Sequence, residues 1–246
     1  MTATKQKTDM DLKYKRVLLK LSGESLMGEQ NYGIDPSVVA QYVHDIKQVT
    51  DLGCEVAIVM GGGNIFRGLS GAAKGMDRVQ GDYMGMMSTL INSMALQAEL
   101  EKQGMSTLLL SGLTIEPICQ AMSRRRAIEA LQQKKVVVIG GGTGNPFFTT
   151  DTASTLRAVE IEANVILKGT RVDGIYSADP EKDPTATKFT QLTFTQAMER
   201  KLKVMDLTAF ALCEENNLPI YVFDMNRQGN LCRVVCGEEI GTIVTR

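Results

Sequence analysis

The residues most able to do chemistry in this sequence lie in three short glycine-containing loops, each directly after an apolar run. The loops are residues 22–24 (Ser-Gly-Glu), 61–64 (Gly-Gly-Gly-Asn) and 140–145 (Gly-Gly-Gly-Thr-Gly-Asn). Because glycine has no side chain, the backbone N–H groups of such loops can approach a ligand closely. Together they would supply enough donors for more than one phosphate group.

The third loop runs on into a segment that carries hydroxyls and a carboxylate. Residues 140–151 read GGGTGNPFFTTD. The two threonines and Asp151 open a predicted helix, and a helix N-terminus attracts anions because its N–H groups are unpaired and lie at the positive end of the dipole. This pattern indicates a phosphate-binding segment.

The composition argues against several other kinds of site. The formal net charge is −1 at pH 7, so bulk charge does not indicate nucleic-acid or membrane partners. No apolar run approaches the roughly 18 residues of a membrane span. The one histidine, His44, is predicted on a helix surface, which leaves little basis for a zinc site or a Ser-His-Asp triad. The five cysteines contain no Cys-x-x-Cys pair and predict reduced, cytoplasmic thiols.

The elements that must position the loops alternate between strands and helices. Apolar strands are predicted at 17–21, 56–60, 107–110, 136–139, 165–167 and 220–223, with a short β pair at the end of the chain. Helices are predicted from Pro36 to Gly53 and at 78–103, 123–133, 151–162, 194–201 and 206–216. Val, Ile and Leu runs between helices are typical of a parallel sheet buried on both faces. We therefore expect an α/β fold, a three-layer αβα sandwich around a mainly parallel sheet, over residues 14–246, after a disordered tail at 1–13.

Two common nucleotide motifs are missing from the sequence. A P-loop contains the dipeptide Gly-Lys, which does not occur in this chain. A dinucleotide fingerprint would need its third glycine where Phe147 stands, and Pro146 interrupts the helix start. A hydride-transferring Rossmann enzyme is therefore not favoured.

Five other segments together resemble the amino-acid-kinase superfamily. They are KLSGE at 20–24, GGGN at 61–64, GTGNPFFTTD at 142–151, KGTRVDGIYSADP at 168–180 and KVMDLTAF at 203–210. In the middle of the chain, FRG at 66–68 and GDYMGM from Gly81 are similar to the bacterial branch of this superfamily that phosphorylates uridylate. The resemblance extends from about Tyr14 to the C-terminus.

The resemblance implies a nucleoside monophosphate kinase that transfers the γ-phosphoryl group of ATP, with Mg²⁺, to UMP in pyrimidine nucleotide synthesis. It also implies a homo-hexamer built from dimers. Two alternatives stay open: a kinase of the aspartate or acetylglutamate type that forms an acyl phosphate, and a sensor or storage protein that binds nucleotides without catalysis. The FRG and GDYMGM segments argue against the first, and Lys20 with Asp151 argues against the second.

Three residues carry the predicted catalysis, and no direct metal ligand is assigned. Lys20, at the end of the first strand, would place a cation on the transferring group, the alternative being a solvated lysine at a strand end. Asp151 would orient Lys20 or a magnesium-bound water. It need not take a proton, because the acceptor phosphate is already ionised near neutral pH. Asp206 would do similar work, and a helix N-cap is the alternative for both aspartates.

The resemblance assigns the uridylate site to the segments around Asp82 and the third loop. Asp82 would accept hydrogen bonds from the ribose hydroxyls, unless it caps the long helix. Phe147 and Phe148 would form apolar walls, unless they are plain core residues. The complete predicted set is Gly62, Asp82, Thr143, Gly144, Asn145, Pro146, Phe147, Phe148, Thr149 and Thr150.

The resemblance assigns ATP to the first two loops and to the part of the chain after the fifth strand. Tyr176 would pack on the base, Asp179 would accept from a ring substituent or the ribose, and Lys168 would add a second positive charge. The predicted set is Lys20, Leu21, Ser22, Gly23, Gly63, Arg67, Thr170, Tyr176 and Asp179. The UMP-binding part is thus expected at 14–165, and the ATP-binding part at 166–246 with the Lys20 loop.

The long helix gives independent support for self-association. Its apolar residues span roughly half of the circumference, which is wider than the ~100° stripe of a helix that packs on one side only. This set is Tyr83, Met84, Met87, Leu90, Ile91, Met94, Ala95 and Ala98, with Leu96 and Leu100 beyond it. Part of this surface is therefore predicted to meet a second copy.

Overall fold

A nine-stranded sheet forms the centre of the protein in the computed structural model, which describes residues 12–67, 75–202 and 204–246. The strands are β1 (Arg16–Leu21), β2 (Glu55–Met60), β3 (Thr107–Ser111), β4 (Gln120–Ala121), β5 (Val136–Gly140), β6 (Val165–Thr170), β7 (Ile175–Tyr176), β8 (Lys188–Phe189), β9 (Gln191–Thr193), β10 (Ile220–Asp224) and β11 (Thr242–Thr245). The helices are α1 (Pro36–Asp51), α2 (Arg78–Lys102), α3 (Arg124–Gln132), α4 (Thr150–Glu160), α5 (Phe194–Glu199), α6 (Leu207–Glu215) and α7 (Asn230–Val235), with a short 3₁₀ helix at Gly23–Met27.

The strand order confirms the mainly parallel sheet. It runs β4-β3-β5-β2-β1-β6-β10-β11-β9, and within this described sheet only β10 and β11 pair antiparallel. Strands β7 and β8 form a separate antiparallel pair. The chain leaves β1 toward β2 on one side and returns to β6 on the other, so the carboxyl end of β1 is a switch point of the sheet. Ligands of open α/β sheets bind at such points.

Side-chain alternation along the strands produces the predicted three layers. In β1, Val17, Leu19 and Leu21 face one hydrophobic cluster, which includes buried residues of α1, α2 and α7. Leu18 faces the other cluster, which includes buried residues of α3, α4, α5 and α6. Successive side chains of a strand point to opposite faces, so Lys20 shares the face of Leu18. The αβα sandwich is confirmed.

The boundaries of α1 follow from the chemistry of the residues predicted there, and the start of α2 follows from a cap that the sequence analysis did not name. Asp35 accepts a hydrogen bond from the backbone N–H of Ser37 at 2.9 Å, and Pro36 occupies the first turn of α1. Gly53, just beyond α1, has a φ of +94°, a conformation that glycine adopts without strain. At α2 the cap is Asp77, which accepts from the backbone N–H of Gln80 at 3.0 Å. Asp82 is therefore not the cap of the long helix.

The C-terminal region differs from the predicted β pair. Residues Asn230–Val235 form helix α7, and β11 alone continues into the sheet, antiparallel to β10. The helix forms because Leu231, Val234 and Val235 recur at helical spacing and are buried in the core. Short apolar runs of this kind fit a strand or a helix equally well in sequence.

The N-terminal boundary also differs slightly from the prediction. Leu12 packs against the hydrophobic core, and the backbone N–H of Lys13 donates to the carbonyl of Val235 at 3.0 Å. These two residues therefore belong to the fold. The rest of the predicted tail, Gly68 of the FRG motif and Lys203 of the KVMDL motif lie outside the described residues.

The cysteines are free, as the sequence predicts. Cys54, Cys119 and Cys213 are buried, and Cys232 and Cys236 are partly buried. Burial raises the pKa of the Cys54 thiol to about 12, so this thiol stays protonated near neutral pH. Of the helices described, none combines the length and the hydropathy that crossing a membrane requires.

Candidate active site

The register between β1 and β6 places two lysines side by side at the switch point. Lys20 and Lys168 are directly opposite each other in these neighbouring parallel strands. Their side chains therefore leave the same face of the sheet. Two ammonium groups held next to each other repel, so this arrangement requires an anion between them.

Asp151 supplies that anion from the first turn of α4. Its Oδ1 lies 2.8 Å from Lys20 Nζ, and its Oδ2 accepts a hydrogen bond from Lys168 Nζ at 3.3 Å. The exposed fractions of the side chains are 12% for Lys20, 14% for Lys168 and 20% for Asp151. The predicted contact between Asp151 and Lys20 is present, and the solvated-lysine alternative for Lys20 does not fit this burial.

Burial and the neighbouring charges shift the pKa values of Asp151 and Lys168. Burial by itself would raise the pKa of Asp151, but the charges of Lys20 and Lys168 outweigh it and hold that pKa below its ordinary value. Burial and then repulsion from Lys20 lower the pKa of Lys168 to about 8, against the attraction of Asp151. Asp151 is therefore a carboxylate near neutral pH and is not suited to act as a general acid.

Asp206 ties the start of α6 to the start of α4. Its carboxylate caps α6 by accepting from the backbone N–H of Ala209 at 2.8 Å. It also accepts from the hydroxyls of Thr149 and Thr152, the latter at 3.0 Å from Oδ2. The N-cap alternative for Asp206 is thus what the structure shows, and its negative charge also favours the charged form of Lys168. Its predicted catalytic role stays a prediction.

A cavity of about 470 Å³ is lined by the second loop, α2, the third loop and the start of α4, where Thr149 and Thr150 directly precede Asp151. On one side of this cavity the backbone of the second loop packs closely against α2. A side chain on Gly62 would place its Cβ 2.7 Å from the Cβ of Ser88, so only glycine lets the second loop lie against α2. The lining is Glu24, Gly62, Gly63, Phe66, Arg67, Arg78, Gly81, Asp82, Gly85, Met86, Thr89, Gly142, Thr143, Phe148, Thr149 and Thr150.

Six of the ten residues predicted for uridylate occur in this lining. They are Gly62, Asp82, Thr143, Phe148, Thr149 and Thr150. The loop residues Gly144, Asn145, Pro146 and Phe147 belong to the same segment but are not among the lining residues. Phe147 and Phe148 are 65% and 49% exposed, so neither is a core residue. The Thr149 hydroxyl accepts from two N–H groups of α4 and donates to Asp206, so its hydrogen-bonding capacity is already engaged.

Asp82 lies in the second turn of α2 and faces the third loop. Both of its oxygens accept from Arg78 Nε, at 2.9 and 2.8 Å, and Oδ2 also accepts from the backbone N–H of Phe147 at 2.8 Å. Each carboxylate oxygen has two lone pairs, so Asp82 keeps acceptor capacity toward the cavity. This position is consistent with a hydrogen bond to a ligand hydroxyl.

A second cavity, of about 360 Å³, is lined by residues between Lys168 and Val222. Its lining contains Lys168 and three residues predicted for ATP, namely Thr170, Tyr176 and Asp179. The Tyr176 hydroxyl donates to Asp173 at 2.6 Å, and Asp179 accepts from the backbone N–H of Glu181 at 3.1 Å. The two cavities draw their linings from residues 24–150 and 168–222, and the division of the chain into UMP-binding and ATP-binding parts stays a prediction.

The remaining residues predicted for ATP lie elsewhere. Gly63 and Arg67 line the first cavity, where Arg67 forms an ion pair with Glu24. The Leu21 side chain is buried in the core, so only its backbone is available to a ligand. Ser22 and Gly23 form the turn after β1, and a Cβ on Gly23 would lie 2.5 Å from the carbonyl oxygen of Gly61. Glycine at position 23 therefore lets the first two loops approach each other closely.

The structure adds Glu24, Arg78 and Thr152 to the site. Each had a weak signal in the sequence: Glu24 ends the first loop, Arg78 precedes Asp82 by four residues on a predicted helix, and Thr152 follows Asp151. Residues four apart on a helix are neighbours, so the Arg78–Asp82 contact could have been predicted. The contacts of Glu24 and Thr152 could not have been predicted, because they join segments that are distant in the sequence.

Comparison with known proteins assigns this fold to a family. The profile of the Amino acid kinase family matches residues 15–224, and the chain belongs to this family. It is 60% identical to the uridylate kinase of Bacteroides thetaiotaomicron over 232 residues. This alignment covers 94% of this chain and 98% of that relative. Identity to the uridylate kinase of Porphyromonas gingivalis is 61%, with coverage of 94% and 97%.

The solved structures lead to the same comparison. The crystal structure of UMP kinase from Bacillus anthracis superposes with a TM-score of 0.91 at 35% identity, covering 94% of this chain and 96% of that one. The UMP kinase from Ureaplasma parvum gives a TM-score of 0.89 at 36% identity. The predicted fold and the predicted resemblance are both confirmed.

Proposed function

We propose that this protein phosphorylates UMP with ATP to give UDP and ADP, in pyrimidine nucleotide synthesis. The observation that carries the proposal is the Lys20–Asp151–Lys168 centre at the switch point of the sheet. Lys168 lines the second cavity, and Asp151 directly follows Thr150, which lines the first. The relatives named uridylate kinase support UMP as the acceptor. They do not favour the acyl-phosphate or non-catalytic alternatives.

Transfer between two polyanions needs alignment and positive charge more than acid-base chemistry. The first cavity would hold UMP and the second the adenosine part of ATP, with the phosphates meeting at the two lysines. Lys20 and Lys168 would then neutralise charge as the phosphoryl group crosses. Preorganised cations in a partly buried site are effective because they need no rearrangement during the reaction.

Asp151 would act by holding the two lysines together. The acceptor oxygen of UMP is ionised near neutral pH, so no proton has to be removed from it. The lowered pKa of Asp151 also makes this carboxylate a weak base. Its function in this proposal is to fix the positions of the ammonium groups.

Mg²⁺ is proposed to arrive with ATP, bound chiefly by phosphate oxygens. Within the described residues, no group of three His, Cys, Asp or Glu side chains could hold a metal ion. Asp151 is paired with lysines, and Asp206 accepts from Thr149, Thr152 and Ala209. Neither Asp151 nor Asp206 is therefore proposed as a direct ligand of the cation. A cytoplasmic location is proposed together with this function, and the free thiols support it.

A coupled assay of ADP release would test the proposed activity. The protein is incubated with ATP and Mg²⁺ and with UMP, CMP, AMP, aspartate or acetylglutamate in turn. We expect turnover with UMP and little with the other acceptors. Equal turnover of CMP would refute UMP specificity, and turnover of an acid alone would favour the acyl-phosphate alternative.

The pKa of Lys168 predicts the alkaline limb of the pH profile. Lys168 is charged below its pKa of about 8 and loses its charge as the pH rises through that value. Because kcat/KM reports the free enzyme, kcat/KM for ATP should fall by about tenfold per pH unit above that point. Steady-state rates across the neutral to alkaline range measure this fall. Lys168→Arg, which stays charged, should remove the inflection, and a flat wild-type profile would contradict the prediction.

We further propose that the exposed apolar face of α2 is covered by a second copy of the chain. Tyr83, Met84, Met87, Ile91 and Met94 are each between 38% and 45% exposed on this helix, whereas Leu90, Leu96 and Leu100 are buried in the core. Contiguous exposed apolar side chains on one helix mark an interaction surface. The hexamer implied by the family resemblance is part of this proposal.

Charged substitutions on this face are expected to break the assembly. In a two-fold interface each face meets itself, so Met87→Glu with Ile91→Glu would bury several like charges at once. We expect the wild-type protein to be an oligomer at micromolar concentration by light scattering and the double variant to be smaller. His44→Glu on the exposed surface of α1 is the control. A monomeric wild-type protein would contradict the proposal.

A further inference from the structure

Arg78 lines the first cavity and contacts both Asp82 and the third loop, although the sequence did not single it out. Its Nε donates to both oxygens of Asp82, at 2.9 and 2.8 Å. The Asp82 side chain is only 12% exposed, while that of Arg78 is 37% exposed. Asp82 is therefore held in one orientation by a partner on its own helix.

The same arginine reaches the third loop. Its guanidinium carbon lies 5.6 Å from the centre of the Phe147 ring, within range of a cation–π contact. Phe147 has a φ of +72°, which is unusual for a residue other than glycine, and its N–H donates to Asp82 at 2.8 Å. Arg78, Asp82 and Phe147 thus form one contact group that joins α2 to the loop.

The ion pair with Arg78 also compensates the negative charge of Asp82. A cavity that must accept a nucleotide phosphate contains two carboxylates, Glu24 and Asp82. Each is paired with an arginine, Glu24 with Arg67 and Asp82 with Arg78. Without Arg78, the partly buried Asp82 would repel the incoming anion, and only the Phe147 N–H would still hold its carboxylate.

We propose that Arg78 is a positioning residue that determines selectivity for ribose over deoxyribose in the acceptor. By fixing both oxygens of Asp82, it aims the free lone pairs of that carboxylate at the sugar hydroxyls. A site built to bond a hydroxyl rejects the analogue that lacks it, provided that its polar group cannot turn away. The inference rests on the proposed function, since it requires UMP in the first cavity.

The test compares UMP with 2′-deoxy-UMP. For the wild-type protein, Arg78→Ala, Arg78→Lys and Asp82→Ala, kcat and KM are measured with both acceptors. We expect Arg78→Ala to lower the ratio of kcat/KM values, UMP over deoxy-UMP, by about tenfold, mainly through KM for UMP. The ratio for Arg78→Lys should lie between those of the wild-type protein and Arg78→Ala, because lysine keeps the charge but not the planar geometry of the guanidinium. Combining Arg78→Ala with Asp82→Ala should add little to Asp82→Ala alone.

Arg125 on α3 provides a matched control. Its Nε lies 2.7 Å from Oε1 of Glu129, which is four residues further along the same helix. Arg125→Ala should leave the ratio of kcat/KM values, UMP over deoxy-UMP, unchanged.

Two results would overturn the inference and indicate direct contact of Arg78 with phosphate or base. One is an equal loss of kcat/KM for UMP and deoxy-UMP in Arg78→Ala, and the other is additive effects in the double variant. A wild-type protein that does not phosphorylate UMP would instead overturn the proposed function. If Arg78→Ala does not fold, Arg78→Lys decides by the same ratio.

Discussion

Replacing Lys20 by alanine is expected to lower kcat by about 100-fold or more. Lys20 is nearly buried, lies opposite Lys168 in the sheet and is held at 2.8 Å by Asp151, so its charge is fixed beside Lys168, which lines the second cavity. A cation in this position is needed most when charge spreads over the transferring group, which places its effect on kcat. The measurement is steady-state ADP release with saturating UMP and ATP.

Two further variants make the Lys20 result specific. Lys47→Ala removes an exposed lysine that pairs with Asp51 on α1, far from the site in the fold, and should leave kcat unchanged. Lys20→Arg keeps the charge in a different shape and should recover only part of the rate. A thermal melt of Lys20→Ala checks that it is folded. A folded variant with near-normal kcat would remove Lys20 from the catalytic centre.

Replacing Asp82 by alanine is expected to raise KM for UMP by about 10- to 100-fold, with a much smaller change in kcat. A carboxylate can accept from two vicinal hydroxyls, and charge-assisted hydrogen bonds are worth about 1.5–3 kcal/mol. The ribose is remote from the reacting phosphate, so the contact is similar in ground and transition states. Its loss is then a loss of uniform binding.

Asp77 provides a control for the Asp82 variant. The long helix is capped by Asp77, whose carboxylate accepts from the backbone N–H of Gln80. Asp77→Ala should therefore cost about 1 kcal/mol of stability and leave KM for UMP almost unchanged. If Asp82→Ala lowered the melting temperature while KM for UMP stayed at its wild-type value, Asp82 would have no role in acceptor binding.

Local features of the chain were determined by the sequence itself. The alternation of apolar strands and amphipathic helices predicted the three layers, because burial on both faces of a sheet demands such strands. The start of α1 at Asp35 and Pro36 and its end near Gly53 depend on residues within one turn of the boundary. The glycine loops and Lys20 were recognisable because they directly follow their strands and carry family motifs.

The tertiary structure alone decided which of these residues meet. Lys168 became the partner of Lys20 through the β1–β6 register, and Asp151 lies between them because α4 packs on that face. Gly63 and Arg67 lie in the first cavity, although the sequence assigned them to ATP. The exposure of Phe147 and its contact with Arg78 likewise depend on how the third loop lies against α2. Register and burial are set by contacts between segments distant in the chain, and no local pattern encodes them.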